Sequence, residues 1–103
     1  LFPYTTLFRS PDDPYVLLIE GQSLLFRPAI AGRDPAAAAD RFERLAAQAD
    51  AAAGITTMEA RVWQWLALRE TGQTTKAQHL YERLRARNPA PLYRQFLDDP
   101  PDV

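Results

Sequence analysis

The side chains suited to chemistry are few and far apart. His79 is the single histidine and there is no cysteine, so a histidine-built metal site, a Ser–His relay and a thiolate nucleophile all lack a complete set of groups. His79 is expected on the surface of a helix. The stretch GQSLL, Gly21 to Leu25, does not make a nucleophile elbow, because such a turn needs glycine where Leu25 stands. The four glycines are scattered and build no phosphate-cradling loop; they read as punctuation and close packing. The acids are spread over the chain rather than paired. The expectation is therefore a non-enzyme with no catalytic residue, no cofactor and no metal.

Two clusters remain for binding. Arg83, Arg85 and Arg87 alternate in sequence, which turns successive guanidinium groups to different sides of a helix, and positive charge in a last turn complements the helix dipole. Trp63 and Trp65 lie about 200° apart on a helix. One is expected to be buried and the other to offer exposed recognition surface.

These residues need elements to position them. The 103 residues, 47% hydrophobic and 24% charged, suit one small globular unit. A net charge of −1 supplies no basic footprint for nucleic acid or an anionic membrane. Apolar runs such as VLLI, 16–19, fall far short of the roughly 20 residues that cross a bilayer.

Asp13 followed by Pro14 predicts a helix start. Leu17, Leu18, Gly21, Leu24 and Leu25 continue at helical spacing until Pro28, giving a helix over 14–27, with a strand at YVLLI, 15–19, as the competing reading. Asp34-Pro35 repeats the start signal for a helix over 35–53, with Ala38, Phe42, Leu45 and Ala49 as its stripe and Asp40 placed four before Arg44. Gly54 ends it. Thr56-x-x-Glu59 forms a capping box for a third helix over 57–71, with Met58, Val62, Trp65 and Leu66 on one face. Gly72 ends that helix, and Thr75-x-x-Gln78 is expected to cap a fourth carrying Ala77, Leu80, Tyr81 and Leu84. Leu92, Tyr93, Phe96 and Leu97 predict a short last helix over the end of the preceding pair. The acidic, proline-containing tail 98–103 is expected to be disordered. The predicted class is all-α: two antiparallel helical hairpins and a capping helix, with residues 11–97 as one unit.

The opening LFPYTTLFRS, residues 1–10, resembles the translation of a short-read sequencing adapter at all ten positions. It is therefore set aside from fold reasoning. The expectation is that the protein's own sequence begins near Pro11, that its charge without Arg9 is 11 basic against 13 acidic groups, and that the natural N-terminus lies upstream.

Gly72, Ala77, Tyr81 and Pro89 stand at the offsets of a tetratricopeptide repeat, whose period is about 34 residues. The second hairpin resembles that family, and the first resembles a more degenerate copy through Gly21, Ala38 and Phe42, so the likeness spans residues 14–89. The first helix of the second hairpin fits the pattern in two registers, anchored on Gly72 or on Trp63. The resemblance implies a stack of hairpins whose groove binds a peptide or a partner protein, and a C-terminal fragment of a longer array. It implies a contact surface on the first helix of each pair, for which Tyr15, Gln22, Trp63 and Arg69 are the candidates. Self-association through exposed hairpin faces is a further expectation; membrane insertion and nucleic-acid binding are not expected. The alternative is a helix-turn-helix over 68–87, in which Thr74, Thr75, Lys76 and Gln78 would open a recognition helix. The acidic balance opposes it, as does Gln78 at a position where that motif buries an aliphatic side chain.

Overall fold

The computed structural model describes residues 13–49 and 54–102, and among these it has five α-helices, one 3₁₀ turn and no strand. Residues 1–12, 50–53 and 103 lie outside the described residues; the second helix, expected over 35–53, already ends at Gln48, because Ala49, expected on its stripe, takes an extended backbone (ψ 134°) that breaks the helical hydrogen-bond pattern.

Helix α1 spans Pro14–Phe26. The Asp13 carboxylate accepts hydrogen bonds from the backbone N–H groups of Tyr15 (2.9 Å) and Val16 (3.3 Å), and Pro14 takes the first helical position, where no N–H is needed. The strand alternative at 15–19 is thereby replaced by helix. Arg27 leaves the helical region before Pro28, as steric conflict with the proline ring requires.

The linking loop is held rather than loose. After the 3₁₀ turn Ala29–Ala31, Gly32 takes φ +88° and the chain folds back so that the Asp34 N–H reaches the Leu24 carbonyl at 3.0 Å. Arg33 clamps two elements: its Nε donates to the Leu25 carbonyl (3.1 Å) and its Nη2 reaches Glu70 Oε1 (3.1 Å).

Helix α2, Pro35–Gln48, is capped by Asp34, which accepts from the Ala37 N–H at 3.0 Å. Its stripe of Ala38, Phe42 and Leu45 is fully buried, and the Asp40–Arg44 pair one turn apart closes at 3.5 Å on the outer side. Helix α3, Thr57–Glu70, begins where the Thr56 hydroxyl accepts from the Glu59 N–H at 3.1 Å.

A Schellman turn ends α3. The Gly72 N–H bonds to the Arg69 carbonyl and the Gln73 N–H to the Leu68 carbonyl, with Gly72 at φ +78°. This turn leads directly into α4, Thr74–Ala86, so Gln73 becomes the N-cap residue and the expected cap, Thr75, is already inside the helix. The reason is geometric: the 6→1 closure of the turn leaves no residue of slack before the next helical bond. Asn88, at φ 52°, ends α4 in the left-handed region, and α5 runs Pro91–Asp98, its final residue pairing with Arg85 at 3.0 Å.

One continuous core unites these helices, with Leu17, Leu25, Phe42, Leu45, Val62 and Leu66 as its largest fully buried side chains. The most extensive pairings are α2 with α3 and α2 with α1, and α3 also packs against α4 and α5. The junction between the two hairpins is thus as well packed as their interiors. Gly21 allows the closest approach: a Cβ placed there would lie 2.5 Å from the Phe42 ring.

Both tryptophans are covered, in place of the expected division into one buried and one exposed. Trp65 is buried and meets Tyr81 of α4, while half-buried Trp63 contacts Phe26, Phe42 and Phe96. Phe96 of α5 also touches Trp65. The physical reason is that α3 has neighbours on several sides, so indoles 200° apart both find apolar partners.

Candidate partner-binding groove

Because α2 and α4 both pack on α3 without closing over it, an open groove of about 890 Å³ runs between them. Gln64 and Leu68 of α3 form its floor, with Ala39 and Leu80 from the two walls. Ala39, Leu68 and Leu80 are buried already, so the floor offers little free apolar area beside the Gln64 amide, whose oxygen accepts from Arg61 Nη1 at 2.7 Å.

The rims differ in charge. Asp40 and Glu43 stand on the α2 side, and the cations Lys76 and Arg83 on the α4 side, together with His79 and Glu82. Spacings of three and four residues explain this: 36, 40 and 43 share one side of α2, and 76, 79 and 83 share one side of α4. Asp40 is partly neutralised by Arg41 (3.1 Å) and Arg44 (3.5 Å), while Glu82, also at the rim, accepts from Gln78 at 3.2 Å. Such a trough can hold a segment of another chain through rim ion pairs and apolar contact. Among the described residues no group of three or more His, Cys, Asp or Glu side chains could hold a metal ion.

The four contact residues expected from the sequence are elsewhere and are not brought together. Tyr15 is exposed on α1, its hydroxyl near Gly54, and Gln22 is half-buried on the same helix. Trp63 belongs to the aromatic cluster. Arg69 lies exposed with its guanidinium 5.0 Å above the Trp65 ring, beside a smaller cavity of about 390 Å³ that Trp65, Tyr81 and Pro100 help to line. His79 is exposed on α4, as expected, and within the groove. The groove is instead lined by the charged sides of α2 and α4, whose spacing was legible in the sequence but whose facing across α3 was not.

No protein-family model, no curated protein and no solved structure matches this chain. No helix among the described residues is long and apolar enough to cross a membrane.

Proposed function

We propose that this chain is a protein–protein interaction module of tetratricopeptide-like type, and that a helical or extended segment of a partner protein lies in the groove between its two hairpins. The groove over α3, open along its length and rimmed by opposite charge, is the observation that carries this reading. The contact surface consequently moves from the first helices of the pairs to the facing sides of α2 and α4.

The helix-turn-helix alternative fits less well. Met58 and Arg61 at the start of α3 line a common cavity with Leu84 and Arg87 at the end of α4, and Trp65 meets Tyr81 midway. The two helices therefore run side by side over their whole length, whereas a helix-turn-helix crosses at about 90–120°.

Peptides selected from a randomised amphipathic-helix library, titrated into isotope-labelled protein, test the reading by amide shifts. Shifts should gather at Ala39, Gln64, Leu68 and His79, and Lys76→Glu combined with Arg83→Glu should weaken binding at least about tenfold. Shifts away from the groove, or indifference to the double reversal, would refute it. Duplex DNA shifting Thr74, Thr75 and Lys76 would favour the alternative.

A further inference from the structure

The three arginines near the end of α4 do not act together. Arg83 and Arg87, four residues apart, share a side at about 40° from each other, whereas Arg85 turns to the opposite side and pairs with Asp98 at 3.0 Å. A third guanidinium joins the first two from another helix. Arg61, near the start of α3, lines a cavity of about 160 Å³ together with Arg83 and Arg87. No residue that lines this cavity is acidic, and none of its three arginines makes an ion pair among the described residues. Arg61 donates to the Gln64 amide oxygen, which is neutral and leaves the charge uncompensated.

The nearest acids in sequence are turned elsewhere. Glu59 stands about 200° from Arg61 round α3, and Glu82 accepts from Gln78 and lines the groove. Compensation of the α4 dipole accounts for cations at the end of that helix. It does not account for Arg61, because the start of α3 is the positive end of its own dipole. Three like charges round one small space repel one another, and an anion placed among them removes that cost.

We infer that this cavity binds a phosphoryl group carried on a serine or threonine of the partner segment. A phosphate monoester brings a charge of about −1.5 to −2 and three acceptor oxygens, which guanidinium forks match in pairs. A carboxylate brings one charge and two oxygens, too few for three arginines. The exposed Thr57 hydroxyl, also at the cavity, has no hydrogen-bond partner among the described residues and can donate to a further oxygen. Beneath the charges lie Met58 and the buried Leu80 and Leu84. Such a floor suits the carbon side of an ester, which free phosphate lacks. Leu80 and Arg83 line both this cavity and the groove, so the phosphorylated residue sits at the groove's edge. The protein carrier rests on the groove reading; the anion site does not.

The probe is N-acetyl-phosphoserine methylamide, titrated into the isotope-labelled full chain at low salt. It should shift the amides of Thr57, Arg61 and Arg87 with a dissociation constant on the order of 1 mM, and its unphosphorylated counterpart should not. Arg61→Gln and Arg87→Gln should each weaken binding at least about fivefold, and Arg85→Gln should leave it unchanged, all with unaltered far-ultraviolet spectra. The ester should raise the melting temperature of the native chain but not that of the Arg61→Gln, Arg87→Gln double variant. Peptide-induced shifts at Ala39 and Gln64 report the groove separately. Absence of ester shifts, or indifference to both substitutions, overturns the inference and leaves the groove reading standing. Inorganic phosphate that binds as tightly as the ester, or duplex DNA that displaces the ester from the same arginines, overturns the assignment to a phosphorylated side chain. So does an ester site in a chain whose groove takes up no peptide.

Discussion

Replacing Gly21 with alanine separates local helix physics from packing, because the two predict opposite signs. Within an isolated helix the change stabilises by about 0.5–1 kcal/mol. Here the added Cβ would sit 2.5 Å from Phe42 Cε1 and 2.7 Å from Cζ, about 1 Å inside ordinary contact. The ring cannot simply swing aside. Phe42 is 0% exposed and is stacked against Trp63 at 5.9 Å, which in turn touches Phe26 and Phe96. Overpacking of this kind costs about 1–3 kcal/mol, so the net effect of Gly21→Ala is a destabilisation of about 1–2 kcal/mol. For a domain of this size that lowers the melting temperature by about 5–10 °C, followed by circular dichroism at the helical band. A double-mutant cycle sharpens the test. Phe42→Leu alone leaves a void, and the Gly21→Ala methyl group fills part of it, so the pair should be more stable than the sum of the single changes by about 1 kcal/mol. A melting temperature raised by Gly21→Ala, or strict additivity in the cycle, would refute the close approach of α1 and α2.

Three further substitutions probe the other elements. Thr56→Ala removes the hydroxyl that accepts from the Glu59 N–H and should cost about 1 kcal/mol in urea unfolding, with Thr56→Ser restoring most of it. Gly72→Ala meets no atom within 4 Å, so its cost of about 1 kcal/mol comes from the backbone at φ +78° alone and should show no coupling to core substitutions. Trp63→Ala strips three ring contacts from the core and should lower stability by about 2–4 kcal/mol, which a chemical-denaturation midpoint detects whether or not a partner is present. If unfolding proceeds in two separate transitions in any of these variants, the single core joining both hairpins is wrong.

Much of the helical framework was legible because its signals are local. Asp13-Pro14, Asp34-Pro35 and Thr56-x-x-Glu59 act within three residues of themselves, and each starts a helix where it stands. The glycine at 72 marks a turn for the same reason. The cap at Thr75 was misplaced because the Schellman closure at Gly72 reaches forward and uses the residues that a separate cap would need. The candidate site was far less legible. Asp40 pairs with Arg44 one turn on and Arg83 complements its helix dipole, readings that stay within one helix, and nothing in either stretch says that the two sides border one groove.

Periodicity and capping thus determined, from sequence alone, that the chain is helical and where most helices begin, since those choices are settled by hydrogen bonds and steric limits within a turn or two. Which side of each helix becomes core, groove or exposed surface was decided only by the tertiary arrangement. Trp63 is half-buried because Phe26, Phe42 and Phe96 arrive from three other helices. Ile19 stays 64% exposed on the same helix that sends Phe26 to Trp63. Burial depends on what stands opposite a side chain, and that partner is set by contacts between residues distant in sequence, which no local spacing encodes.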